Sequence, residues 1–181
     1  FAEVWLKITP GERGSGINFK ESLVGQNVDR GFVPSVEKGI NNICDDGVIA
    51  GCKVVDVKID FYDGKMHPVD SNDMAFQIAG RHAFMDAVKS ARPKLLEPIY
   101  SIKVKIPDDV MGDIMGDISS RRGKVQGMET DGHFQIINAE VPMANLHDYA
   151  TALKAMSSGR GMFTNEFSHY EDMPHIEADK V

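Results

Sequence analysis

Residues 99–141 read IYSIKVKIPDDVMGDIMGDISSRRGKVQGMETDGHFQIINAEV, and the pattern that begins here decides the fold of the C-terminal half. Apolar and polar side chains alternate over residues 99–106, which predicts a β-strand, and apolar residues then recur at helical spacing. The predicted elements are a strand at 99–106, a helix from Pro107 to Gly123, strands at 124–129 and 133–141, a helix from Pro142 to Gly159, and a strand at 161–170.

This order, strand, helix, strand, strand, helix, strand, is the split βαβ arrangement of ferredoxin-like domains. Two glycines, Gly112 and Gly116, lie inside its first helix, where each costs about 1 kcal/mol relative to alanine. We therefore expect something to approach this helix closely, and tight packing on the sheet is the simplest explanation.

The N-terminal half also mixes strands and helices. Its long last helix is predicted to be largely buried, with His82 packed inside it, and to be capped by Asp70 or Ser71. A proline-containing segment at 91–98 separates the two halves. The other predicted elements are a strand around 4–8, a hairpin loop at 10–16, a strand at 17–24, a helix from Pro34 to Asp46, a strand at 54–61, and a turn at Asp63-Gly64.

The composition is that of an ordinary globular protein of 181 residues, with 20 Lys plus Arg, 27 Asp plus Glu, and a net charge of −7. Such a charge argues against general binding to DNA or other polyanions, although it allows a local basic patch. Cys44 and Cys52 are too few for a disulfide framework and are expected to be mostly buried free thiols. No apolar run is long enough for a membrane span, so we expect a cytoplasmic protein with no membrane partner. The chain enters its first strand almost at Phe1, as an excised piece of a longer protein would.

No catalytic motif is present. The glycines at 11–16 follow the order Gly-x-x-Gly-x-Gly between two strands, whereas a dinucleotide fingerprint needs Gly-x-Gly-x-x-Gly between a strand and a helix. None of the six histidines pairs with another at the spacing of metal ligands on a helix. We therefore expect this chain to have no enzymatic activity, cofactor or metal of its own.

Two kinds of segment are candidates for binding. Residues 64–70 form a polar connection that carries His67, and loops of this kind often carry function. Cations gather at the ends of both predicted helices of the second half and could contact phosphates, although solvated helix ends explain them equally well. These cations are Arg121, Arg122 and Lys124 at the first helix, and Lys154 and Arg160 at the second.

Several strings resemble translation elongation factor G, in order and over nearly the whole chain. Those similar to its fourth domain are 32–40 (FVPSVEKGI), 54–58 (VVDVK), 62–64 (YDG), His67, 69–71 (VDS) and 74–76 (MAF). Those similar to its fifth domain are 96–99 (LEPI), 115–123 (MGDISSRRG), 149–151 (YAT) and 158–161 (SGRG). Residues from about Glu171 carry no such string.

The resemblance implies two α/β domains, at 1–94 and 95–170, followed by a tail at 171–181. The first would have a left-handed βαβ crossover and a ribosomal-protein-like fold, and the second would be ferredoxin-like. The parent would be a monomeric cytoplasmic GTPase that promotes translocation, with GTP and Mg²⁺ held in a preceding domain.

The same resemblance implies the contacts. The tip of the first domain, with Lys65, Met66 and His67, would reach the duplex of messenger and transfer RNA. The second domain would lie near ribosomal RNA and the stalk-base proteins, with Arg121, Arg122, Lys124, Lys154 and Arg160 as candidate contacts.

One departure leaves a second interpretation open. Where the first tip loop of the family usually reads Tyr-Gly-His-Val, this chain has Phe1-Ala2-Glu3-Val4, so an acid replaces a histidine. The alternative is a paralogue that helps to split the ribosome after termination, and a ribosomal protection protein fits less well. From other classes, a small-molecule enzyme would need converging titratable groups, and a ligand-sensing module would fit the fold alone.

Overall fold

The computed structural model describes residues 1–181, and the chain divides into two compact units, Phe1–Pro93 and Lys94–Lys180. No helix is sufficiently long and apolar to cross a membrane. The elements are β1 (Glu3–Pro10), β2 (Ile17–Glu21), α1 (Val33–Asp46), β3 (Val57–Lys65), α2 (Asp73–Ser90), β4 (Leu96–Pro107), α3 (Met111–Ser120), β5 (Lys124–Asp131), β6 (Phe134–Pro142), α4 (Tyr149–Met156), β7 (Met162–Asp172) and α5 (His175–Ala178).

The first unit is a three-stranded sheet in the order β1-β3-β2 with two helices. The central strand β3 is antiparallel to β1 and parallel to β2, so β2, α1 and β3 form a βαβ unit. The predicted hairpin at 10–16 is therefore wrong, because β3 lies between the two strands that this loop joins. The core consists mainly of Val36, Ile40, Ile43, Ile59, Phe61, Phe76, Phe84 and Val88.

The predicted turn at Asp63-Gly64 is also wrong, since β3 continues through both residues to Lys65. Gly64 pairs with Val4, and a Cβ atom at Gly64 would lie 2.3 Å from the carbonyl oxygen of Glu3. Glycine at this position therefore allows β1 and β3 to approach each other closely. The pairing of β3 with β1 outweighs the local preference of the Asp-Gly sequence for a turn.

The long helix α2 buries only one stripe, made of Phe76, Gly80, Phe84 and Val88. These residues recur every four positions, as expected for a helix with one face toward the core. The prediction of a largely buried helix is wrong, and His82 is exposed instead of packed. The cap is Asn72, whose side chain accepts a 2.8 Å hydrogen bond from the Ala75 amide, and neither predicted residue takes that role.

The two helices of this unit pack closely at Gly39 of α1. A methyl group there would lie 2.1 Å from the carbonyl oxygen of Gln77, which is part of the α2 backbone. We expect Gly39→Ala to destabilise the unit by about 3 kcal/mol, because neither backbone can move without disturbing the core. Thermal unfolding of the 181-residue chain measures this effect.

Gly116→Ala is the matched control, because a methyl group at Gly116 would meet open space. The same is true of Gly112, so the expectation that these glycines allow packing on the sheet is wrong. Gly116→Ala should stabilise the chain by up to about 1 kcal/mol through helix propensity alone. Equal melting temperatures for the two alanine variants would contradict the packing described for Gly39.

The second unit is a four-stranded antiparallel sheet in the order β5-β6-β4-β7. With α3 and α4, this is the ferredoxin-like arrangement predicted from the sequence, and the fold class of two mixed α and β domains is confirmed. Strand β4 starts at Leu96 and includes Pro98, and β7 runs to Asp172, two residues beyond the predicted end. The core is formed by Ile102, Val104, Ile106, Val110, Ile114, Ile118, Ile137, Ala139, Val141, Tyr149 and Leu153.

The two cysteines differ in environment. Cys44 is buried, and this burial raises the pKa of its thiol to about 12, so the side chain stays protonated. Cys52 is exposed, contrary to the expectation of two buried thiols.

Candidate functional site

The loop between β3 and α2 is short and held at both ends. Ser71 fixes it, because its Oγ accepts a 2.7 Å hydrogen bond from the His67 amide and donates one of 2.7 Å to the carbonyl oxygen of Phe1. The Ser71 amide in turn donates to the His67 carbonyl oxygen. The loop therefore has a defined shape, joined to the start of β1.

The His67 ring lies outside the core, with 54% of its side chain exposed. Its Nδ1 atom is 3.1 Å from Asp70 Oδ2, while Nε2 makes no hydrogen bond within the chain. The ring belongs to no group of three possible metal ligands. This arrangement suits donation to a phosphate or ribose, or stacking on a base, better than proton transfer.

The neighbours of His67 have different roles. Lys65 is exposed, and its Nζ atom is 3.5 Å from Glu3 Oε1, which also accepts a 2.6 Å hydrogen bond from Trp5 Nε1. Met66 is half-buried: its sulfur accepts from the Asp29 amide at 3.3 Å, and it packs against the core. Lys65 and His67 are therefore available to a partner, while Met66 anchors the loop.

Arg121 is an internal connector of the second unit. Its guanidinium donates to the Asp117 carboxylate and the Asn145 carbonyl oxygen, both at 2.8 Å, and to the Asp148 carboxylate. It also lies 5.2 Å from the centre of the buried Tyr149 ring. The hydrogen bond from Arg121 lowers the pKa of Asp148. Arg121 thus joins the end of α3 to the start of α4, and little of it is exposed.

Arg122 forms an ion pair with a buried carboxylate. Its two terminal nitrogens bind the two oxygens of Glu97, which is only 5% exposed. The backbone of Arg122 adopts a φ of 63°, in the left-handed region that non-glycine residues seldom occupy. The Gly123 amide then donates to the Ile118 carbonyl oxygen and closes the helix end.

The remaining three predicted contact residues are exposed. Lys124 Nζ lies 3.5 Å from Glu171, and Arg160 donates to Asp109 at 2.8 Å. The hydrogen bond from Arg160 lowers the pKa of Asp109. Lys154 makes no ion pair. Of the five cations predicted here, these three are the most exposed.

One group of possible metal ligands was missed by the sequence analysis. Glu140, His169 and Glu171 have ligand atoms within 4.8 Å of one another. They come from β6 and β7, so spacing along the sequence could not show them. Lys124 already pairs with Glu171, and Gln126 donates to Glu140 at 3.1 Å, so protein groups satisfy the carboxylates.

Comparison with known proteins covers both units. The family model described as elongation factor G, domain IV, matches residues 1–92, and that described as the elongation factor G C-terminus matches residues 94–181. A crystal structure of a protein from Thermus thermophilus is similar, with 38% sequence identity and a TM-score of 0.86. The match covers 98% of this chain but only 26% of the Thermus chain.

Proposed function

Because the chain belongs to the elongation factor G family, we propose that it forms the ribosome-contacting part of a cytoplasmic factor that promotes translocation of transfer and messenger RNA. As a chain with both C-terminal domains of that family, it is part of an elongation factor G-like translation factor.

The observation that carries the proposal is the loop at 65–71. It presents the exposed ring of His67 on a loop of fixed shape, two residues after the exposed Lys65 that ends β3. Such a loop suits contact with the duplex of messenger and transfer RNA. In the second unit, Lys124, Lys154 and Arg160 are the cations suited to ribosomal RNA or the stalk-base proteins.

Ribosome co-sedimentation of the full-length factor tests the binding part of the proposal. The variant Lys124→Ala/Lys154→Ala/Arg160→Ala should bind more weakly, and its affinity should depend less on salt, because fewer phosphates are neutralised. Arg121 and Arg122 are left intact, since their loss would disturb the fold. A small-molecule enzyme or a ligand-sensing module would not sediment with ribosomes at all.

GTP chemistry is assigned to another part of the parent protein. The 181 residues contain no phosphate-binding loop with its lysine, so we expect the chain to neither bind nor hydrolyse GTP. Isothermal titration calorimetry of the purified chain should show no heat of binding. Micromolar affinity for GTP would overturn this assignment.

Ribosome splitting is the second candidate function, and Glu3 is the departure from the family pattern that motivates it. The family usually has histidine at this position of the first tip loop, whereas here the Glu3 carboxylate accepts from Trp5 and pairs with Lys65. The tip therefore presents a different charge to RNA. Translocation and recycling assays run side by side on the full-length factor would decide between the two steps.

A further inference from the structure

The sheet of the first unit has one face that its helices leave uncovered. On this face Lys7, Asp60 and Lys20 lie side by side across β1, β3 and β2, and Thr9, Lys58 and Asn18 form the next row. The opposite face carries Ile59 and Phe61, which are buried in the core. Since side chains alternate along a strand, the polar row and the core belong to opposite sides of one sheet.

Two exposed aromatic rings lie on the same face, nearer to the tip of the unit. Trp5 and Tyr62 are 45% and 41% exposed, and their rings meet edge to face with centroids 6.3 Å apart. The hydrogen bond from Trp5 Nε1 to Glu3 restrains the indole. Exposed large aromatic side chains held in a fixed geometry are typical of binding surfaces.

The two rows of polar residues carry a charge opposite to that of the whole chain. Three lysines surround one carboxylate, Asp60, which accepts from Ser22 Oγ at 2.6 Å and lies 3.4 Å from Lys20. Lys7 and Lys58 make no ion pair. The groove between these residues has a volume of about 390 Å³. A chain of net charge −7 thus has a local cationic groove beside two exposed rings.

We propose that this face binds single-stranded RNA, with bases stacked on Trp5 and Tyr62 and phosphates held by Lys7 and Lys58. On an open sheet, aromatic rings can stack on the bases of an unpaired strand, and the cations between them can bind its phosphates. A duplex keeps its bases stacked inside and offers no face to the rings. The inference adds a second RNA surface to the proposed function and does not require that the target be the ribosome.

Trp5 is the only tryptophan, so its fluorescence reports directly on stacking. The 181-residue chain, titrated with a short oligouridylate, should show saturable quenching that weakens as salt is added. For Lys7→Ala/Lys58→Ala, the slope of log affinity against log salt should become shallower by about 1.4, since each single-strand phosphate contact contributes ~0.7. Tyr62→Leu should lower the affinity roughly 5- to 150-fold, the range of one base stack.

Two variants serve as controls. Lys38→Ala/Lys89→Ala makes the same charge change at exposed positions on α1 and α2, and should leave quenching unchanged. Val69→Ala, at an 83% exposed position of the loop at 65–71, should also leave quenching unchanged. The titration contains no ribosome, so failure of this proposal and failure of the tip proposal are distinguishable.

Three results would overturn the proposal: no saturable quenching, an equal loss of affinity in the Lys38 and Lys89 variant, or tighter binding of duplex RNA or polyglutamate than of the single strand. Tighter binding of polyglutamate would mark the face as a surface for acidic proteins.

Discussion

Replacing Arg122 with alanine should destabilise the second unit by about 3 kcal/mol. Arg122 is the ionic partner of a buried carboxylate, so its removal leaves the charge of Glu97, which is only 5% exposed, without compensation. Alanine carries a Cβ atom as arginine does, so the backbone strain caused by the left-handed φ at this position changes little. For a unit of this size, the melting temperature should fall by roughly 12 to 24 °C, which calorimetry can measure.

Lys124→Ala is the matched control for Arg122→Ala. Lys124 also pairs with a carboxylate, that of Glu171, but both side chains are exposed. Its loss should cost less than about 1 kcal/mol. The double variant Glu97→Ala/Arg122→Ala should recover part of the stability lost by Arg122→Ala alone. Equal costs for the two single variants would show that the Glu97 ion pair is not a structural connection.

His67→Ala in the full-length factor should slow movement of the RNA complex by roughly 5- to 150-fold. A lost base stack or equivalent RNA contact is worth about 1–3 kcal/mol, and this is converted directly into rate if the contact forms in the transition state. Folding and ribosome-stimulated GTP hydrolysis should stay near wild type, because the ring is exposed and makes no core contact. Stopped-flow measurement of translocation, or of splitting for the alternative, checks this.

Val69→Ala provides the comparison for His67→Ala, since Val69 is 83% exposed in the same loop. It should leave both ribosomal steps unchanged. If His67→Ala melts several degrees lower than wild type, the residue is structural. If both steps proceed at the wild-type rate, the ring makes no functional contact.

The fold of the second unit was predictable because its two central strands, β4 and β6, each have one buried face. Alternation at 99–106 and the apolar residues Val110, Ile114 and Ile118 are local patterns, and the observed elements follow them closely. The predictions of burial were wrong where segments distant in the sequence determine which side chains are covered. Nothing near His82 shows that its side of α2 lacks a partner, and nothing near Gly39 shows how close Gln77 lies.

The sequence predicted where the candidate site lies but not the role of each residue in it. The polar loop around His67 stands out from its neighbours, and the structure places the ring outside the core. Sequence could not separate Arg122 from Lys124, because only the fold brings Glu97 to one and leaves the other in solvent. It also could not assemble Lys7, Lys20 and Lys58, which come from three strands.

Directed hydroxyl-radical probing tests most directly whether the loop at 65–71 reaches the duplex of messenger and transfer RNA. An iron chelate attached at Val69→Cys, in a Cys52→Ser background of the full-length factor, should cleave small-subunit RNA around the messenger and transfer RNA duplex. The same probe at Lys154→Cys should instead cleave large-subunit RNA. Absence of cleavage from position 69, or the same cleavage pattern from both positions, would contradict the account.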